Sequence, residues 1–146
     1  MLTGDSREVA LAESQAVLAL ASGDYRERLA SLVSAVGEGE VEGDDAETLE
    51  EVLELGLQSG RLRALYGPGG EQAALRLYRR LPRGSALVAS AGEVTEALAT
   101  LRGKPLESIS LSAVGPGAFA LTVAAGGVEL SLRLDRQGAR LASVGV

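Results

Sequence analysis

The stretch LESISLSAVG-PG-AFALTVAA-GG-VELSLRLD-RQ-GARLASVGV, Leu106 to Val146, decides the fold class. In its first segment Ile109, Leu111 and Ala113 alternate with Ser108, Ser110 and Ser112. Period two marks a strand with one apolar and one wetter face. Gly115-Pro116-Gly117 interrupts it, since Pro lacks an N–H and Gly reaches positive φ. Phe119, Leu121, Val123 and Ala125 form the next alternating set, and Gly126-Gly127 is a two-residue hairpin signal. Val128, Leu130, Leu132 and Leu134 then alternate with Glu129, Ser131, Arg133 and Asp135. After the turn at Asp135–Gly138, Leu141 falls out of step with Val144 and Val146, which predicts a bulge in the last strand. Short loops make neighbours antiparallel, and the shared apolar face needs a cover.

Outward from the sheet, the chain reads as helices. At 146 residues it is expected to be a single α+β domain, with a helical part over about 6–82 and a strand-helix-meander part over about 85–146. The first helix spans about Ser6–Ala21. A second opens at Asp24, with Asp24 and Glu27 as a capping box, and ends at Gly37. A third is capped by Asp44 or Asp45, and its Gly56 marks a close helix contact. A short helical piece covers Leu62–Tyr66, Gly67-Pro68-Gly69-Gly70 breaks it, and another helix runs from about Glu71 to Arg80. Leu81-Pro82-Arg83-Gly84 reads as a stop, Ser85–Ala89 as a short strand, and Ser90 with Glu93 as the capping box of a last helix, Ala91–Arg102. The expected fold is α+β: N-terminal helices packed on a C-terminal, mainly antiparallel, twisted sheet of four to five strands.

Ala16-Val17-Leu18-Ala19-Leu20-Ala21-Ser22-Gly23-Asp24-Tyr25 resembles the helix–Gly-Asp-Tyr–helix opening of NTF2-like (cystatin-like α+β) domains, and Ser85–Val146 is similar to their strand–helix–meander close. Residues 38–80 depart from that pattern. The resemblance implies a curved sheet and helices enclosing a pocket, often in a dimer. Such folds serve enzymes, ligand binders and partner-binding modules alike.

Composition removes several chemistries. The chain has no His and no Cys, so Ser-His-Asp and Cys-His nucleophilic sites and His- or Cys-ligated zinc are excluded. A net charge of −6 argues against nucleic acid and anionic membranes as partners. No apolar run reaches the ~18 residues of a membrane span, and Met1–Asp5 carries no secretory pattern, so a cytoplasmic location is the default. No cofactor is implied. Glu38, Glu40, Glu42 and Gly43 imitate the front of a calcium loop, but Leu49 stands where the bidentate Glu belongs. Gly67–Gly70 before a helix lacks the P-loop Lys.

Charge is strongly segregated. Residues 38–54 hold nine carboxylates and no base, and residues 61–83 hold six Arg against Glu71. The two blocks either pair inside one chain, which we favour, or meet across a two-fold axis, or leave a basic face for an acidic partner. The interaction candidates are Arg76, Arg79, Arg80 and Arg83 with Glu47, Glu50, Glu51 and Glu54. The ligand-pocket candidates are Tyr25, Tyr66, Tyr78 and Phe119. The leading reading is a non-catalytic binding or protein-interaction module, with an apolar pocket between sheet and helices and a small apolar ligand, a protein partner or a homodimer as the occupants to test. The alternatives are a small-molecule enzyme of NTF2-like type using carboxylate and Tyr groups, and a structural subunit of an assembly.

Overall fold

A computed structural model describes residues 1–146. Five helices precede four strands: α1 (Gly4–Leu20), α2 (Gly23–Glu38), α3 (Gly43–Gln58), α4 (Arg61–Tyr78), α5 (Pro82–Ala99), β1 (Leu106–Gly115), β2 (Ala118–Ala125), β3 (Val128–Asp135) and β4 (Gly138–Gly145). The chain is α+β with an antiparallel sheet in the order β1-β2-β3-β4. It divides into two compact units, Met1–Ser85 and Ala86–Val146.

In the first unit α1–α4 close around an aliphatic core. Leu29, Leu32, Leu49, Leu53 and Leu62 have no exposed surface, and each fully buried Leu contributes about 2 kcal/mol. Gly56 lets α3 and α4 approach as its sequence position suggested: a Cβ there would lie 2.7 Å from Leu62 Cγ. Gly67 breaks α4 with φ 71°, and Pro68 opens the piece that follows, where its fixed φ suits a first helical position.

Several helix ends differ from the sequence reading. Ser22, not Asp24, is the N-cap of α2, and that helix runs past Gly37 to a left-handed cap at Gly39. Glu42 rather than Asp44 or Asp45 precedes α3. The largest correction is at 81–90. Pro82 begins α5 instead of ending α4, Ser85–Ala89 is helix rather than strand, and Ser90 lies within the helix with its hydroxyl on the Leu87 carbonyl. The sheet therefore has four strands and no fifth. Ala86, Ala89 and Ala91 favour helix intrinsically, and a short apolar run does not by itself distinguish strand from helix. Gly84 is needed for contact rather than termination: a Cβ on it would lie 1.9 Å from the Tyr78 carbonyl oxygen.

The sheet reads as its alternation requires. Ile109 faces Val123, which faces Leu130, which faces Val144; Leu111, Leu121, Leu132 and Leu141 form the adjacent row. Gly126 and Gly127 take φ 57° and 79° at the β2–β3 turn. The bulge in β4 falls at Ala142, returning Val144 to the apolar face. On the other face Arg133 and Arg140 stand opposite each other and share Asp135, at 3.3 and 2.7 Å.

Within this unit the cover is α5. Its less exposed stripe is Leu87, Ser90, Val94, Ala97 and Leu98, at helical spacing. A Cβ on Gly138 would meet Leu87 Cδ2 at 2.8 Å, and one on Gly126 would meet Lys104 Cδ at 2.7 Å. Leu87 and Ser90 thus lie over the β3–β4 turn, and the chain after the helix reaches the β2–β3 turn, so α5 from Ala86 onward lies along β3. Leu130 and Leu132 beneath it are 2% and 1% exposed, while Glu129 and Arg133 on the opposite face are open to solvent.

Replacing Gly84 by Ala would force a Cβ against the Tyr78 backbone, which no rotamer change relieves. Gly84→Ala is expected to lower unfolding free energy by about 2 kcal/mol or more, read by urea denaturation. An unchanged midpoint would show that the turn does not need the close approach.

Candidate functional site

The acidic helix α3 carries Glu47, Glu50, Glu51 and Glu54 at helical spacing, and three of the four are used inside the first unit. Glu50 is buried and accepts the backbone N–H of Arg83, in the first turn of α5. A carboxylate there satisfies a donor that has no partner within its own helix and suits the positive end of the helix dipole. The Arg83 guanidinium lies 3.1 Å from Glu54 and 3.6 Å from Glu50. Tyr78 donates to the other Glu54 oxygen at 2.9 Å. Glu51 pairs with Arg28 at 3.2 Å, and that guanidinium sits 5.8 Å from the centre of the Tyr25 ring. These contacts of acidic-block carboxylates, Arg83 included, lie within one chain.

Four of the expected interaction residues stay outside these networks. Glu47 is exposed and makes no ion pair; Arg76, Arg79 and Arg80 are exposed, unpaired, and line an open groove of about 380 Å³ with Ser6. Arg76, Arg79 and Arg80 form an exposed basic surface. Ser6 itself donates to the Ala73 carbonyl at 3.2 Å.

The sequence reading missed Glu13. Its carboxylate is buried, receives Arg61 Nε at 2.7 Å and the Tyr66 hydroxyl at 2.9 Å, and ties α1 to α4. The available signal was a Glu one turn from Val9 and Ala10, on the apolar stripe of α1. Tyr66 borders an open groove of about 450 Å³ with Asp5, Glu8, Val9, Ala12, Gly69 and Gly70. The three Tyr therefore sit in three different networks. Phe119 belongs to the second unit, on β2, opposite Ala113 and Leu134 and 41% exposed.

The phenols serve as donors. Burial, followed by the Glu13 hydrogen bond and charge, pushes Tyr66 up to about 12, against the partial relief of Arg61. Burial and then Glu54 do the same for Tyr78, to about 12. Tyr25 is raised by burial and by Glu51. Groups so firmly protonated near neutrality are poor general bases, and no group of three or more acidic residues converges as a metal would need. Asp135, on the sheet, is held below the usual carboxylate range, first by the Gln137 N–H and then by Arg133 and Arg140.

The sheet also carries an open surface. Eight of the thirteen exposed large apolar side chains are in residues 106–146, four of them on β1. All ten residues of β1 are exposed, with Leu106, Ile109 and Leu111 at 62%, 60% and 60%. Single exposed apolar residues are ordinary, whereas contiguous ones mark contact surfaces. No helix is long and apolar enough to cross a membrane. No protein-family model, curated protein or solved structure matches the chain.

Raised folded-state values for Tyr66 and Tyr78 stabilise the native state fully below the unfolded value of about 10. That contribution is lost as pH rises from about 10 through about 12. Ultraviolet titration is expected to show both phenols ionising near pH 12, and Tyr66→Phe is expected to remove one of these steps. Three ordinary titrations near pH 10 would contradict the hydrogen-bonded arrangement.

Proposed function

We propose that this chain is a non-catalytic protein-interaction module that takes an extended segment of a protein partner along its β1 edge. The observation that carries the reading is the exposure of all ten β1 residues at the rim of an apolar sheet face. An edge strand presents unpaired N–H and C=O groups. A partner strand would satisfy them with main-chain hydrogen bonds, and alternate side chains would supply selectivity. Ile109 and Leu111 give that strand an apolar row, and Ser108, Ser110 and Ser112 a polar one. The helical unit supports a binding rather than a catalytic role, because its buried carboxylates and its Tyr hydroxyls hold each other and neighbouring Arg residues.

A second reading, an enzyme using carboxylate and Tyr groups, draws on the Glu13–Tyr66 pair beside the 450 Å³ groove. Its weakness is that both groups are committed to each other and to Arg61.

A benzophenone side chain placed at Ser112 and photoactivated in the native cells tests the interaction reading. One discrete protein adduct is expected, absent when the same group is placed at the exposed helix position Thr95. Equal labelling at both positions, or none at Ser112, would overturn it.

A further inference from the structure

We infer that the strand that docks on β1 is β1 of a second copy of this chain, antiparallel about a two-fold axis at Ser110, so that two four-stranded sheets become one of eight strands. The inference rests on the reading of β1 as an interaction strand and names its partner.

The two edges of the sheet differ. Natural edge strands are protected by charge, Pro, bulges or brevity. β4 has an inward-paired Arg140, a bulge at Ala142 and Gly at both ends. β1 has ten residues; its register shifts fall near its ends, at Glu107 and Val114, and from Ser108 to Ala113 it carries no charge, no Pro and no bulge. Its one charged residue, Glu107, turns its carboxylate onto the Gly127 N–H at 3.0 Å, at the end of the sheet. The middle of β1 is thus open where the middle of β4 is interrupted by its bulge.

The β1 sequence also fits itself. With Ser110 opposite Ser110, Ile109 of each copy faces Leu111 of the other, and Ser108 faces Ser112. Every one of these pairs matches apolar with apolar or hydroxyl with hydroxyl, on the correct face of the pleat. No like charges meet, which an isologous contact through a charged strand could not avoid. Ile109 and Leu111 gain cross-strand neighbours on the side where each now meets only water. A lone strand pair lies near the low end of specific interfaces, about 1,000 Å² in total. Association is therefore expected to depend on concentration. It should also strengthen with salt, since the net charge of −6 on each copy opposes approach and is screened beyond about 8 Å at physiological ionic strength.

Light scattering after size exclusion, over a range of protein concentrations, reads the mass. A shift from one chain mass to two is expected. Leu111→Lys is expected to weaken dimerisation at least tenfold, and Val144→Lys on the opposite edge to leave it unchanged. Because the protein has no Cys, Ser110→Cys provides an independent reading. Directly opposed Cys lie within disulfide range, and a dimer crosslink on mild oxidation is expected. Stacking through the apolar faces would keep the two Ser110 apart, since they point the other way.

A dimer that survives Leu111→Lys but not Val144→Lys, or one that Ser110→Cys fails to crosslink, would overturn the inference. A protein monomeric throughout, with a photo-adduct to a different protein at Ser112, would overturn the second-copy partner and leave the interaction reading standing. A monomer with no such adduct would end both.

Discussion

An α-helix is about 10 Å across, and four strands at about 4.8 Å spacing are nearly twice as wide. One helix therefore covers the middle of such a sheet and leaves its margins open. The burial of the sheet unit follows this mismatch. Leu130 and Leu132, on the strand beneath α5, are sealed, and Val123 on the next strand is nearly so. Ile109 and Leu111, two strands from β3, remain 60% exposed, and Leu141 and Val144 on β4 remain 44% and 58% exposed. The exposed apolar side chains that frame the functional reading are a consequence of having a single covering helix over an otherwise regular four-stranded meander.

The helical unit obeys a different constraint. It has few aromatics and an aliphatic core, and a charged group inside that core must be matched. Glu13 and Glu50 are each 1% exposed and each is matched, Glu13 by Arg61 and Tyr66, Glu50 by a helix N–H and Arg83. Breaking such a pairing strands a buried charge, which costs far more than an exposed ion pair contributes. The segregation of acid and base along the chain is explained in part by these contacts: α3 supplies carboxylates to the Arg residues of α2 and the start of α5. Arg76, Arg79 and Arg80 remain outside that explanation.

Much of this was legible in the residues. Period-two alternation gave all four strands, Gly126-Gly127 the central hairpin, and the phase slip between Leu141 and Val144 the bulge. Gly56 was readable as a close contact because a helix tolerates Gly poorly without one. The stretch 81–90 was misread because Pro and Gly each have two meanings: Pro82 starts a helix as readily as it ends one, and Gly84 answers to a carbonyl that only tertiary structure brings near. Glu13 was missed because its partners are 48 and 53 residues away. The undefended character of β1 was present in the sequence, but strand order decides which strands are edges, and order is a property of the folded sheet.

The most direct test of this account is amide hydrogen exchange of β1 against β3, residue by residue, in dilute protein and again at high concentration. In dilute protein the outward amides of β1 are expected to exchange rapidly while those of β3 remain protected, and raising the concentration is expected to protect β1 alone. If β1 is as protected as β3 even at high dilution, something within the chain already covers the edge, and the account of β1 as an open, self-pairing strand is contradicted.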